Sequence, residues 1–158
     1  MLRLSTKGQY GVRAMFEIAR GYNLGPITIK QISENQDVSV SYLEQILNQL
    51  RKAGIIKSVK GPGGGYVLAK SPDTISIGAI LRELEGPVAI TSCLDPREGC
   101  MRVDGCVTHL LWKSLGEKIE TFLDNMTLDD LLKGNQFVEI KRLGRKSKKG
   151  NDRATVTG

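Results

Sequence analysis

Apolar residues recur at spacings of three and four along most of the chain, which predicts helices. Only between residues 55 and 69 does the pattern shift to short β-branched runs around a glycine-rich turn. Ser5 and Thr6 offer a cap for a first helix running to about Arg20, with Tyr10, Ala14, Met15, Ile18 and Ala19 on its apolar face and Gly21 to Pro26 ending it. Thr28-Ile29-Lys30-Gln31 has the spacing of a capping box, in which hydroxyl and amide side chains satisfy free backbone donors. A short helix is therefore expected from Ile29 to about Asn35, ahead of the turn residues Asn35-Gln36-Asp37. A third helix spans the segment Ser39 to Ala53. It begins near Ser39 or Ser41, where Ser41-Tyr42-Leu43-Glu44 offers another capping box, and it places Val40, Leu43, Ile46, Leu47 and Leu50 on one stripe before Gly54 stops it. Strands Ile55 to Val59 and Tyr66 to Ala69 then flank Lys60-Gly61-Pro62-Gly63-Gly64-Gly65, an exposed turn. Three helices followed by a hairpin predict a mainly α fold of the winged helix-turn-helix type with a two-stranded wing.

A fourth helix is expected from Ser76 to Glu85, with Ile77, Ile80, Leu81 and Leu84 inward, before Gly86-Pro87 breaks it. A long helix from about Asp104 to Met126 carries Val107, Leu111, Leu115, Ile119, Phe122 and Met126 as a stripe, with Trp112 beside it. That stripe is more apolar face than so small a chain easily covers, so pairing with a second copy is expected, a core helix within one chain being the other reading. Thr127 to Lys133 reads as a short last helix capped by Thr127, with Asp130 at the third position. The expected organisation is a DNA-binding domain over 1–86, a cysteine-bearing loop over 87–105, a dimerisation helix and short terminal helix over 104–140, and a basic tail over 141–158, low in apolar residues and expected to be disordered from Gly144.

Charge changes the picture once it is divided along the chain. Residues 1–70 hold ten Lys/Arg against four Asp/Glu, residues 71–140 hold six against twelve, and residues 141–158 hold seven against one. A cationic N-terminal domain suits a polyanion, because neutralising phosphates releases condensed counterions. No apolar run approaches the length of a bilayer span, and Met1-Leu2-Arg3-Leu4-Ser5 lacks the stretch of a signal peptide, so a cytoplasmic protein with no membrane association is expected.

In a helix-turn-helix the second helix of the pair enters the major groove by its N-terminal end. That end here is Ser39, Ser41, Tyr42, Glu44 and Gln45, with Asn48 one turn on. Gln45 can engage adenine through two hydrogen bonds. Glu44 can accept from a cytosine amino group while repelling phosphate, or can serve only as a capping-box member. Ser5, Thr6 and Lys7 supply hydroxyls, amides and a cation at a helix start, fit for a phosphate as well as for capping. In the wing, Lys60 and Tyr66 frame Gly61, Gly63 and Gly64, whose bare backbone lets the hairpin approach another surface. The same glycines joining two strands, with no helix opening behind them, lack the geometry of a nucleotide-binding loop. No paired carboxylates or nucleophile–base arrangement stands in the sequence, so an enzyme is not expected.

Cys93, Cys100, Cys106 and His109, the one histidine in the chain, fall within seventeen residues. Structural zinc sites usually pair ligands at short gaps, whereas six and five residues separate these cysteines. Iron–sulfur clusters take thiolates at wider spacing. Three readings stay open on spacing alone: a cluster, a zinc site, and free thiols acting as a redox switch or simply buried.

These residues resemble a known family. Leu4-Ser5-Thr6-Lys7-Gly8-Gln9-Tyr10, Ser41-Tyr42-Leu43-Glu44-Gln45, Leu50-Arg51-Lys52-Ala53-Gly54, Gly61-Pro62-Gly63-Gly64-Gly65-Tyr66 and Cys106-Val107-Thr108-His109 are similar to IscR-type regulators of the Rrf-two family of winged-helix transcription factors, over Leu2 to about Val138. The resemblance implies a homodimer on double-stranded operator DNA, with a 2Fe-2S cluster held by Cys93, Cys100, Cys106 and His109 and delivered by the iron–sulfur assembly machinery, whose genes it controls. It further implies that cluster-bound and cluster-free forms prefer different sites, with Glu44 rejecting one class in the cluster-free form. The gap from Cys93 to Cys100 is one residue longer than is usual in that branch. A related branch senses nitric oxide through a 4Fe-4S cluster with an acidic ligand near the N-terminus, where this chain has Lys7-Gly8.

Overall fold

The computed structural model describes residues 4–95, 98 and 105–134, so Cys100, Asp104 and the basic tail from 141 onward lie outside the described residues. The elements follow the predicted order: α1 (Thr6–Arg20), α2 (Ile29–Gln36), α3 (Val40–Lys52), β1 (Ile56–Val59), β2 (Gly65–Leu68), α4 (Ile77–Glu85), α5 (Val107–Asn125) and α6 (Leu128–Lys133), with single helical turns at Pro72–Thr74 and Ser92–Leu94. This is the mainly α winged helix-turn-helix with a two-stranded wing and a long helix beyond it.

Local hydrogen bonding explains where the helices start. Ser5 caps α1 by accepting from the Gly8 amide at 3.1 Å. At α2 the expected capping box is complete: the Thr28 amide donates to Gln31 Oε1 at 2.9 Å and the Gln31 amide to Thr28 Oγ1 at 3.2 Å. The same device closes the start of α6, between Thr127 and Asp130. At α3 the structure chooses between two serines. Ser39 is the cap, accepting from the Tyr42 amide at 3.3 Å, so Ser41 lies inside the helix and its box with Glu44 does not form. The earlier start also puts Val40 at the first helical position, exposed and off the stripe that the sequence assigned to it.

The core gathers Ala14, Met15 and Ile18 of α1, Ile32 of α2, Leu43, Ile46, Leu47 and Leu50 of α3, Ile56 and Leu68 of the wing, and Ile77, Ile80 and Leu84 of α4, closed by Met126 and Leu128. Removing such side chains from water supplies the main driving force, about 1.5–3 kcal/mol for each large one. β1 and β2 pair antiparallel from Ile56 opposite Leu68 to Val59 opposite Gly65. The wing is rooted to the start of the helix pair, because Ile27 and Tyr66 exchange backbone hydrogen bonds at 3.1 and 2.8 Å. A second bridge ties the start of α4 to the junction of α5 and α6, where the Ile77 amide donates to Met126 O at 2.7 Å and the Leu128 amide to Ile75 O at 3.0 Å.

One buried carboxylate locks α1 to α2. Glu17 of α1 is only 4% exposed and accepts from Asn35 Nδ2 at 3.0 Å and Gln36 Nε2 at 2.6 Å, with Arg20 Nη1 3.5 Å away. Arg13 adds two bonds to Gln36, one to its side chain at 2.7 Å and one to its carbonyl at 2.8 Å. Among the described residues no helix is long and apolar enough to cross a membrane.

Candidate nucleic-acid interface and thiol site

The N-terminal half of α3 presents Ser39, Ser41, Glu44, Gln45 and Asn48 to solvent, while Leu43, Ile46 and Leu47 anchor its other side. The division follows from helical period: the polar positions fall on the face opposite the core stripe. Glu44 and Gln45 form no side-chain hydrogen bond to other described residues, so both are available to a partner. Asn48 is engaged by Arg51 Nη2 at 2.9 Å. Tyr42 is half-buried and packs edge-on against Tyr10, with ring centroids 5.9 Å apart, and the Arg13 guanidinium stands 5.3 Å from the Tyr10 ring centroid. Its ring therefore serves the joint between α1 and α3.

Lys60 and Gly61 to Gly63 are exposed at the tip of the wing, and Tyr66 is half-buried at its base. The glycines divide into two kinds. Gly61 and Gly63 have φ of 94° and 71° with open space around them. A Cβ at Gly64 would overlap the Val59 carbonyl, and one at Gly65 the Ile27 carbonyl. The close approach that the sequence reserved for an outside surface is in part an approach of the chain to itself.

At the start of α1, Thr6 is exposed and Lys7 half-exposed, but the Ser5 hydroxyl donates to Glu85 Oε1 at 2.6 Å. Nothing in the local sequence around Ser5 points to this partner beyond the pair Gly8 and Gly11, whose missing side chains leave room for Glu85 and Leu84 of α4. Glu17 had a clearer signal, a carboxylate one turn from Ala14 on an otherwise apolar face.

The thiol segment is described only in part. Cys106 stands at the cap position of α5, and His109 is at its third residue, buried at 8% exposure, with Nδ1 making no hydrogen bond to the described residues. The Cys106 thiol is held below its ordinary range, first by the Thr108 hydroxyl 3.1 Å away and then by the His109 amide at the helix start. A lowered thiol lessens the competition of protons with a metal. Cys93, half-buried, has Thr91 Oγ1 at 3.0 Å. Ile90 and Leu94 lie against Gly116, at 3.6 and 3.9 Å from where its Cβ would be, which seats the Cys93 segment on α5. Soft thiols beside a buried, unsatisfied imidazole nitrogen fit the donor chemistry of an iron–sulfur cluster. Among the described residues, however, no three His, Cys, Asp or Glu side chains converge tightly enough to hold a metal ion.

The long helix starts at Val107, with Met126 at its C-terminal cap. Its stripe is only partly covered by its own chain: Met126 is buried and Leu115, Ile119 and Trp112 half-buried, while Val107 is 78%, Leu110 63%, Leu111 56% and Phe122 50% exposed.

Comparison with known proteins bears on these surfaces. The profile of the Rrf2 family, described as an iron-dependent transcriptional regulator, matches residues 4–134. The chain is 43% identical over 139 residues to the HTH-type transcriptional regulator IscR of Pectobacterium carotovorum subsp. carotovorum, covering 88% of this chain and 84% of that protein. Among solved structures, IscR of T. potens superposes with a TM-score of 0.72 at 43% identity, over 85% of this chain and 88% of that one. CymR, the global cysteine regulator of B. subtilis, superposes with a TM-score of 0.73 at 38% identity, over 83% and 96%.

Proposed function

Since the chain belongs to the Rrf2 family, as a non-catalytic winged-helix transcriptional regulator closely related to IscR, we propose that it senses iron–sulfur status through a 2Fe-2S cluster and controls iron–sulfur assembly genes as a cytoplasmic homodimer. The observation that carries this reading is His109, buried beside Cys106 with a ring nitrogen that has no hydrogen-bond partner among the described residues. A buried polar atom without a hydrogen bond costs about 1–3 kcal/mol, and a metal bond removes that cost. Cys93, Cys100, Cys106 and His109 would hold the cluster, and the assembly machinery would supply it. When bound, such a cluster supplies a redox-active, oxidisable group whose loss is a signal. Iron and acid-labile sulfide measured after oxygen-free purification and reconstitution test the reading; absence of both sinks it.

On the DNA side, α3 would lie in the major groove with Gln45 and Glu44 against base edges and Ser39, Ser41, Tyr42 and Asn48 around them. Ser5, Thr6 and Lys7, with Lys60, Gly61, Gly63, Gly64 and Tyr66 of the wing, would meet backbone or groove edge. Gln45→Ala is expected to cost about 1–3 kcal/mol of discrimination at one base pair and to leave affinity for unrelated duplex unchanged. Competition binding with single-base operator variants reads this. A uniform loss across sequences would reassign Gln45 to the backbone.

The exposed residues Val107, Leu110, Leu111 and Phe122 support pairing of α5 with α5 of a second copy. Leu111→Glu would set like charges in that seam. It is expected to convert a dimer into a single chain in sedimentation velocity, with at least about a hundredfold loss of operator affinity as the second half-site contact is lost. A dimer that survives the substitution would place the seam elsewhere.

A further inference from the structure

Glu85 closes α4 and reaches across to the first turn of α1, where its Oε1 accepts from the Ser5 hydroxyl at 2.6 Å. Ser5 Oγ in turn accepts from the Gly8 amide at 3.1 Å. Position 8 leaves room for this: a Cβ there would overlap the Glu85 carboxylate, and one at position 11 would overlap Leu84. The two glycines let α4 lie close along α1, so the carboxylate sits at the positive end of a helix that has no acidic residue in its own first turn. The neighbouring Glu83 carbonyl accepts from Gln49 Nε2 of α3, which fixes the same turn of α4 to the recognition helix.

We propose that Glu85 is an internal stand-in for a DNA phosphate and thereby sets DNA affinity. The inference rests on the reading above, in which the start of α1 meets the DNA backbone. A serine hydroxyl has one hydrogen to donate. In the free protein Glu85 takes it, and a phosphate oxygen can take it only when the carboxylate has turned away. Two anions at one helix end also repel, so the exchange opposes binding on every sequence and reads no base. Glu85 is a positioning residue in this account. It lies at the root of the segment leading through Gly86, with φ of 89°, to Cys93, so the contact links that segment to the DNA-facing end of α1.

The test uses the full chain in four forms: unsubstituted, Glu85→Gln, Ser5→Ala and the double variant Ser5→Ala/Glu85→Gln. Each is titrated, at several salt concentrations, against a duplex that the unsubstituted protein selects from a random pool and against a scrambled duplex. Glu85→Gln keeps an acceptor for Ser5 and removes the charge. It is expected to tighten binding about three- to tenfold per half-site on both duplexes and to steepen the salt dependence of log Kobs by about 0.9 per protomer. In the Ser5→Ala background the same change is expected to tighten binding less, because only the repulsion between the two anions is then relieved and the hydroxyl is no longer there to be exchanged. Unchanged or weaker binding by the Gln variant overturns the proposal and leaves Glu85 a structural contact. A gain of undiminished size without Ser5 overturns it as well, since charge acting through space would then explain the whole effect. Thermal melting accompanies each titration, and because Glu85 is exposed, Glu85→Ala serves as the second charge-removing variant should the Gln form melt early. Failure of the unsubstituted chain to bind any duplex would sink the DNA-binding reading itself, whereas binding with no effect of Glu85 sinks this inference alone.

Discussion

Alanine in place of Cys93, Cys100 or Cys106 is expected to give folded protein that holds no iron and no visible absorption after anaerobic reconstitution. Each thiolate would fill one coordination position of the proposed cluster, so removal of any one is expected to abolish binding. The fold should survive, since Cys93 and Cys106 are half-buried and stand outside the core cluster. His109→Ala is expected to differ in kind. Imidazole ligates as a neutral group, so its removal leaves the three thiolates and their charge in place, and a labile cluster is expected. Iron per chain and absorption, followed for each variant beside a melting curve, check all of this. If the three cysteine variants keep their iron, the ligand assignment is wrong.

Gly65→Ala is expected to destabilise the domain by about 2–6 kcal/mol, strain and overpacking each contributing roughly 1–3 kcal/mol. The residue has φ of 152°, and a Cβ there would overlap the Ile27 carbonyl and reach the Ile27 carbonyl carbon and Thr28 amide as well. Those are backbone atoms in the bridge that joins the wing to the helix pair, so they have no rotamer by which to yield. The melting temperature should fall by on the order of 10 °C or more. Gly63→Ala separates the two causes. Its φ of 71° is likewise unfavourable, but nothing lies within 4 Å of the added carbon, so about 1 kcal/mol is expected. Equal losses at both positions, read by calorimetry, would show that backbone strain alone governs the wing.

Much of the fold was legible because its signals are local. Thr28 with Gln31 and Thr127 with Asp130 lie within one helical turn, and their capping boxes form as the spacing predicts. The stripe Leu43, Ile46, Leu47 and Leu50 needs only helical period to be found. Where two local signals compete, the sequence is undecided: Ser39 and Ser41 can each cap, and in the structure Ser39 is the cap, its hydroxyl accepting from the Tyr42 amide. Of the candidate site, the residue types of the α3 surface and of the thiol segment were visible, whereas Ser5 meeting Glu85 across eighty positions was not. Such a contact is invisible to any window of sequence.

Which segments become helix or strand, and which polar residues α3 turns away from the core, could be read from short stretches of chain, since hydrogen-bond satisfaction within a turn and apolar period act over a few residues. Only the tertiary structure decided that Glu17 is buried in a network of amides, that Gly64 and Gly65 are required by the chain's own backbone, that the apolar face of α5 is left open, and that a carboxylate of α4 sits on the cap of α1. The physical reason is that charge, burial and close approach depend on which elements pack together. That packing is settled by the summed burial of the whole core and not by any one stretch of chain.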